Sequence, residues 1–206
     1  MDLDRLRARL PYQGLLLAVV ALVTTAALAL AARTTGPLIE AAEARDLQIS
    51  LNQVLSIEYD NDLVRDSLDL PGPGGVPVTV YRARREGRVE AVVFKVSSPG
   101  YAGPIVCVLG VDRAGRVLGV RVVKHTETPG LGDKIEPAKD DWIHGFVNTA
   151  LGHPPAAEWA VKKDGGRFDQ FAGATITPRA VVKAVKGGLA FFGAEKTRLL
   201  DEETGS

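Results

Sequence analysis

Between Tyr12 and Ala32 the chain carries no charged residue. At ~1.5 Å per residue, a helix over this stretch reaches across a hydrocarbon core of ~30 Å. The apolar part of a secretory leader runs to only about 7–15 residues. The length therefore favours a permanent span over a cleaved signal. Gln13, Thr24 and Thr25 are its main polar interruptions. Arg5, Arg7 and Arg9 precede it, whereas beyond it Arg33 is followed by Glu40 and Glu43. Basic flanks stay on the cytoplasmic side of a span. The sequence thus predicts a cytoplasmic N-terminus at 1–11, a transmembrane helix at 12–32 in contact with the lipid bilayer, and everything after Arg33 outside the cytoplasm.

The remaining length, out of 206 residues, suits one domain. With 25 basic and 25 acidic residues the net charge is zero, and no basic stripe points to a nucleic-acid partner. Cys107 is the lone cysteine, so an intramolecular disulfide, a CxxC redox pair and a cysteine zinc cluster are all excluded. Set in the apolar run 105–109, it reads as a small core residue. His125, His144 and His153 show no metal-ligand spacing. Any redox chemistry would need an organic cofactor.

Thr34, Thr35, Gly36 and Pro37 predict a break after the span, with Pro37 in the first turn of a new helix. Residues 38–55, rich in Ala, Glu, Gln and Leu, favour that helix. Residues 33–70 read as a helical connector, closed by the turn-forming 71–75. Two Val-rich hairpins follow. Residues 78–84 and 88–96 flank a turn at Glu86–Gly87, and residues 105–111 and 116–124 flank one at Ala114–Gly115. Each hairpin leads into a similar loop, 98–103 and 128–133, which suggests either two related halves of one sheet or the ordinary likeness of hairpins. Residues 139–151 predict a helix with Trp142, Phe146 and Ala150 on one face. Residues 159–162 predict a short strand. Residues 177–192 predict the clearest outer helix, with Thr177 as N-cap, Pro178 at N1 and an apolar stripe of Val181, Val185, Leu189 and Phe192. The charged composition after Ala194 predicts a frayed tail over 196–206. The fold class is α+β: one N-terminal transmembrane helix, then an extracytoplasmic domain at 71–195 of antiparallel hairpins and packed helices.

Two constellations carry candidate chemistry. In the first, Gly130 and Gly132 let the backbone approach a flat ligand. Leu131 offers a packing surface for a ring face, and Glu127, Thr128 and Lys134 offer polar contacts. The same residues are also ordinary turn chemistry after a hairpin. In the second, residues 169–177, small residues at 172–174 clear space around Thr175. A phosphate on the Thr175 hydroxyl would lie near free N–H groups and the positive end of a helix dipole. The plainer alternative is a small-residue turn with a local hydrogen bond. Walker A and GxGxxG signatures are absent.

Together these segments resemble the flavin-binding domain shared by the G-type subunit of the Rnf electron-transport complex and the C-type subunit of the sodium-translocating NADH:quinone reductase. The resemblance is closer to the Rnf protein, which shares the single N-terminal span and the short chain. It runs from Val117 through HTETPGLGDKIEPAKDDWIHGF and WAVKKDGGRFDQFAGATITPRAVVKAVKGGL to Phe192. It implies FMN attached covalently to a threonine by a flavin transferase, through a phosphoester. The family's recognition pattern maps onto Asp169, Ala172, Gly173, Ala174 and Thr175, with Thr175 the acceptor and Ala172 standing where the family has Ser or Thr. It further implies that the loop of Glu127, Thr128, Gly130, Leu131 and Gly132 holds the flavin ring. As partners it implies other subunits of an inner-membrane complex that passes electrons between ferredoxin and NAD while moving ions. The chain itself would be a flavoprotein electron carrier with no catalytic acid or base. Two other readings remain beside it: an anchored assembly module without cofactor, and a free-standing flavin reductase, for which no nicotinamide site is visible.

Overall fold

The computed structural model describes residues 10–201. Arg5, Arg7 and Arg9, on which the predicted orientation rests, lie outside the described residues, as do residues 202–206. Two compact units are present, Met1–Leu47 and Gln48–Ser206.

The first unit contains most of α1 (Leu10–Val54). Its segment Tyr12–Gly36 has a mean hydropathy of 2.6 and none of it is buried, so it is long and apolar enough to cross a membrane. Thr24 is tolerated there because its hydroxyl donates back to the carbonyls of Val20 and Ala21, at 2.9 and 3.0 Å. The predicted break at 34–37 is not present: helical backbone continues through Gly36 and Pro37. Thr34 and Thr35 do not cap a new helix. Both hydroxyls donate to the preceding turn, Thr34 to Leu30 and Ala31, Thr35 to Ala31.

In the second unit one antiparallel sheet runs in sequence order, β1 (Ser67–Pro71), β2 (Pro77–Arg85), β3 (Arg88–Pro99), β4 (Pro104–Asp112) and β5 (Val117–Lys124). Both predicted hairpins are present, and they pair with each other through β3 and β4. β1 adds a strand within the stretch read as a connector. At the β2–β3 turn Glu86 and Gly87 both take positive φ, 51° and 79°, as a two-residue hairpin turn of matching twist requires.

The sheet is covered on both faces. The end of α1 packs on one. A Cβ at Gly110 would stand 2.6 Å from the carbonyl oxygen of Val54, and one at Gly119 2.9 Å from it. α2 (Ile176–Leu200) lies on the other, where a Cβ at Gly188 would press on Val96 and Leu109. Its expected stripe of Val181, Val185, Leu189 and Phe192 is buried. The helix also outruns the expected fraying point, because Leu199 is fully buried. Cys107 sits in this core, and burial pushes its thiol up to about 12.

Residues 139–151 do not form the predicted α-helix. A 3-10 stretch, Asp141–Phe146, is capped by the Asp140 side chain accepting from the Trp142 N–H, and the chain then turns, with Ala150 bridging His153. The strand predicted at 159–162 reduces to one bridge, Val161 to Phe168. Phe146 is a core residue, as expected, while Trp142 is half-buried and packs against the core. Trp142 packs edge-on against Phe146 and Phe171, each at 5.3 Å, and Phe146 stacks on Phe168 at 4.5 Å.

Candidate functional site

The two constellations read from the sequence meet at one cleft of about 280 Å³. One wall is the loop after β5, contributing Glu127, Thr128, Leu131 and Gly132. The other is the approach to α2, contributing Gly173, Ala174, Thr175, Ile176 and Thr177. Tyr101, from the β3–β4 turn, completes the mouth.

The approach to α2 is held from behind. The Trp142 indole N–H donates to the Asp169 carbonyl at 2.8 Å, and Phe171 is buried in the aromatic cluster. Ala174 N–H closes a turn on the Phe171 carbonyl at 3.1 Å. Gly173 sits in that turn at φ 80°, where a side chain would be strained. The chain is thereby delivered to Thr175 in a set direction.

Thr175, not Thr177, occupies the N-cap position of α2, and its side chain makes no capping hydrogen bond. Its hydroxyl is half-buried on the cleft and uncommitted. The first turn of α2 contains no acidic residue, so the positive end of its dipole is not neutralised from within the helix. Thr177 is 1% exposed and donates its hydroxyl to Glu127 Oε2. A buried carboxyl fifty residues away in sequence has taken the threonine that local capping rules selected.

Glu127, 5% exposed, ties three segments together. Besides Thr177, its Oε1 accepts from the N–H groups of Tyr101 and Ala102, at 2.9 and 3.2 Å. Gly132 is needed beside this contact, since a Cβ there would lie 2.8 Å from Thr177 Oγ1 and 2.9 Å from Glu127 Cβ. His125 does not line the cleft. Its Nδ1 accepts the Glu127 N–H at 3.2 Å and its Nε2 meets Glu136 at 2.9 Å, which sets the Nε2–H tautomer. Lys139 joins Glu136 to the buried Asp133, at 3.0 and 2.7 Å. This ammonium holds both carboxyls below the ordinary range, with help for Asp133 from the Gly130 N–H and for Glu136 from His125.

Of the predicted site residues, Glu127, Thr128, Leu131, Gly132, Gly173, Ala174 and Thr175 come together. Gly130 supplies the turn, at φ 77°, without lining the cleft. Asp169 points elsewhere: its carboxylate is exposed and pairs with Lys162 at 2.6 Å. Lys134 is exposed and does not reach the cleft. Sequence reasoning missed Tyr101 and Ile176, which are 70% and 46% exposed. With Leu131 they give the mouth apolar surface on three sides. Tyr101 was findable, since it lies in the first of the two matching loops. Among the described residues no cluster of His, Cys, Asp and Glu can hold a metal ion.

An open apolar mouth leading to an uncommitted hydroxyl at a helix N-terminus suits a flat ligand with an anionic end. A cleft of this size encloses part of such a ligand and leaves the rest at the surface. Residues 100–190 match the family model described as FMN-binding domain, and residues 10–54 match RnfG N-terminal region. The chain is 46% identical over 199 residues to the G-type subunit of the ion-translocating oxidoreductase complex of Stutzerimonas stutzeri, covering 96% of this chain and 87% of that one. It is 49% identical over 188 residues to the protein of that name from Cereibacter sphaeroides, covering 91% and 86%. A crystal structure of Shewanella oneidensis NqrC aligns with a TM-score of 0.48 at 22% identity, over 68% of this chain and 74% of that chain.

Fold and site together define an FMN-binding domain behind an apolar N-terminal helix. The chain belongs to the RnfG family, the G-type subunits of ion-translocating oxidoreductase complexes.

Proposed function

We propose that this chain is a membrane-anchored electron carrier of an ion-translocating ferredoxin:NAD oxidoreductase, holding FMN covalently on Thr175. The observation that carries the reading is the state of Thr175: half-buried on the cleft, hydroxyl uncommitted, at the dipole-positive end of α2. In the attachment step a flavin transferase uses FAD. The Thr175 oxygen forms a bond to the FMN phosphorus, the pyrophosphate bond breaks, AMP leaves and the hydroxyl proton is released. Asp169 and its exposed surroundings would serve the transferase, in keeping with a carboxylate that lies outside the cleft.

The attached group, once bound, supplies one- and two-electron redox chemistry. The residues around it bind and orient. The free N–H groups of Ile176 and Thr177, at the start of α2, would hold the phosphoester. Leu131, Ile176 and Tyr101 offer apolar contact to the ring, and Glu127 holds the walls in register. The apolar helix anchors the domain in the inner membrane, with the cleft on the periplasmic side, and keeps it at high effective concentration beside other subunits of the complex.

The test is expression of the full chain with its flavin transferase, followed by a denaturing gel under ultraviolet light and intact mass. A fluorescent band with the FMN increment, retained in Thr177→Val and lost in Thr175→Val, is expected. A dark, unmodified chain beside a transferase active on another substrate would overturn the reading.

A further inference from the structure

Away from the cleft, the sheet splits. β2 and β3 pair from Arg85 and Arg88 up to Val80 and Phe94, and no further. Beyond that point β2 stays paired to β1 as far as Pro77, and β3 to β4 as far as Pro99. Residues 77–79 and 95–99 therefore present two facing strand edges with no ladder partner between them. The gap is a groove of about 650 Å³ whose floor is α2 at Lys183, Ala184 and Gly187. No Cβ at Gly187 would meet anything within 4 Å, so the floor is open.

Its chemistry is specific in two respects. The walls are apolar, with Val76 65% exposed at the rim and Val78, Val96 and Val106 along the sides. Lys95 and Lys183 stand over them, both exposed and both without an ion-pair partner among the described residues. The ion-paired cations of this domain, Arg82, Arg84, Lys139, Lys162 and Arg179 among them, lie elsewhere. Two unpaired ammonium groups over an apolar slot call for an anionic occupant. Two unpaired strand edges call for extended backbone, which alone presents N–H and C=O groups to both sides at strand spacing.

We infer that this split is a docking slot for a short extended peptide segment, with an acidic side chain, from another subunit of the membrane complex; the identity of the donor rests on the function proposed above. The segment adds three to five residues, on the order of one short strand, between β2 and β3 and sets its carboxylate against Lys95 and Lys183. Pro77 and Pro99 limit the register by removing donors at the outer ends.

The experiment uses the full chain in the purified, detergent-solubilised complex, with p-benzoylphenylalanine in place of Val76, or of Arg116 at the opposite end of the sheet as control. Irradiation and peptide mapping are expected to join position 76, and not 116, to an Asp- or Glu-containing segment of one other subunit. Lys95→Glu with Lys183→Glu is expected to lower that yield about tenfold, with flavin loading and the thermal midpoint unchanged. Lys95→Gln with Lys183→Gln is expected to give a smaller loss in the same direction. Lipid adducts alone, no adduct, or a yield indifferent to both lysine pairs would overturn the inference and leave the lysines and prolines as devices that blunt an exposed edge. A chain that fails to co-purify with other subunits defeats the proposed function and this inference together. A flavin-bearing chain that co-purifies without the cross-link defeats the slot alone.

Discussion

Two threonines stand two residues apart at the head of α2, and they have different chemistry. Thr177 is 1% exposed and its hydroxyl is spent on Glu127. Thr175 is half-buried, faces the cleft and accepts no capping hydrogen bond. The cleft around them divides in the same way. The Glu127 wall is a closed set of hydrogen bonds joining the β3–β4 turn, the loop after β5 and α2. The Thr175 wall is small residues over an aromatic base, with its one hydroxyl free. A site that must accept a large group on one side chain without losing its shape needs both, a wall already satisfied and a reactive group still unsatisfied.

Exchanging the two threonines' properties is the strongest way to break this comparison. Thr175→Val is expected to abolish covalent FMN completely while leaving the urea midpoint within about 0.5 kcal/mol of the parent, since no hydrogen bond is lost. Thr177→Val is expected to keep the flavin and to cost about 1–3 kcal/mol, because Glu127 Oε2 stays buried with its donor gone. Intact mass and urea unfolding of both variants decide it; the opposite pattern would reverse the roles. Glu127→Ala is next in size. It strands the N–H groups of Tyr101 and Ala102 as well as the Thr177 hydroxyl, and about 2–4 kcal/mol is expected. Glu127→Gln keeps an acceptor for the two N–H groups and is expected to cost less than half as much. Equal losses for Gln and Ala would show that the three-way tie does not support the cleft.

The position of Thr177 also marks the limit of reading this chain from sequence. A Thr followed by Pro is a sound local signal for a helix start, and Pro178 does lie in the first turn. The signal misplaces the start by two residues: Thr175 holds the N-cap position, Thr177 lies inside the first turn, and its hydroxyl donates to Glu127, fifty residues distant. The hairpins were legible because their turns demand particular residues, and Glu86–Gly87 and Gly115 do adopt positive φ. The break at Gly36–Pro37 was misread for a related reason. Thr34 and Thr35 look like caps, but within an apolar helix they satisfy themselves on the preceding carbonyls. The helix expected at 139–151 is cut to the 3-10 stretch Asp141–Phe146, because Val147 leaves helical geometry and Asn148 takes a positive φ of 63°, a stop that the apolar spacing alone does not reveal. Tyr101 shows what could have been gained, since the likeness of the loops at 98–103 and 128–133 already pointed to the two segments that Glu127 joins.

The locked wall can be probed more finely at Gly132. A Cβ would fall 2.8 Å from Thr177 Oγ1 and 3.1 Å from Glu127 Oε2. Gly132→Ala must therefore push the Thr177–Glu127 hydrogen bond apart, at an expected cost of about 1–3 kcal/mol. In a Thr177→Ala background the same change is expected to cost less, as both the hydrogen bond and the atom the new Cβ would strike are already gone. Additive losses in the double variant would mean that Gly132 is constrained by something other than this contact.

The smallest expected effect is one of pH, and it tests the network behind the Glu127 wall. Lys139 holds Asp133 and Glu136 below the ordinary carboxylate range. A depressed carboxyl contributes stability that is complete above its unfolded pKa and is lost as pH falls through the folded value. The ordinary values are about 3.9 for Asp and 4.3 for Glu, so the contribution is full at neutral pH and fades below about pH 4. Lys139 itself is raised by the two carboxyls, so its part persists from neutral pH up to the ordinary lysine range and is lost as pH rises through its folded value. Lys139→Met leaves Asp133, which is 4% exposed, without its cation. The variant is therefore expected to be less stable than the parent from pH 6 to 9 and to begin converging on it below about pH 4, as the carboxyls protonate. Urea midpoints measured across that range give the answer. A gap that stays constant down to low pH would mean that Lys139 acts through its packed aliphatic chain, and that the Asp133–Lys139–Glu136 bridge does not carry the wall that holds Glu127 in place.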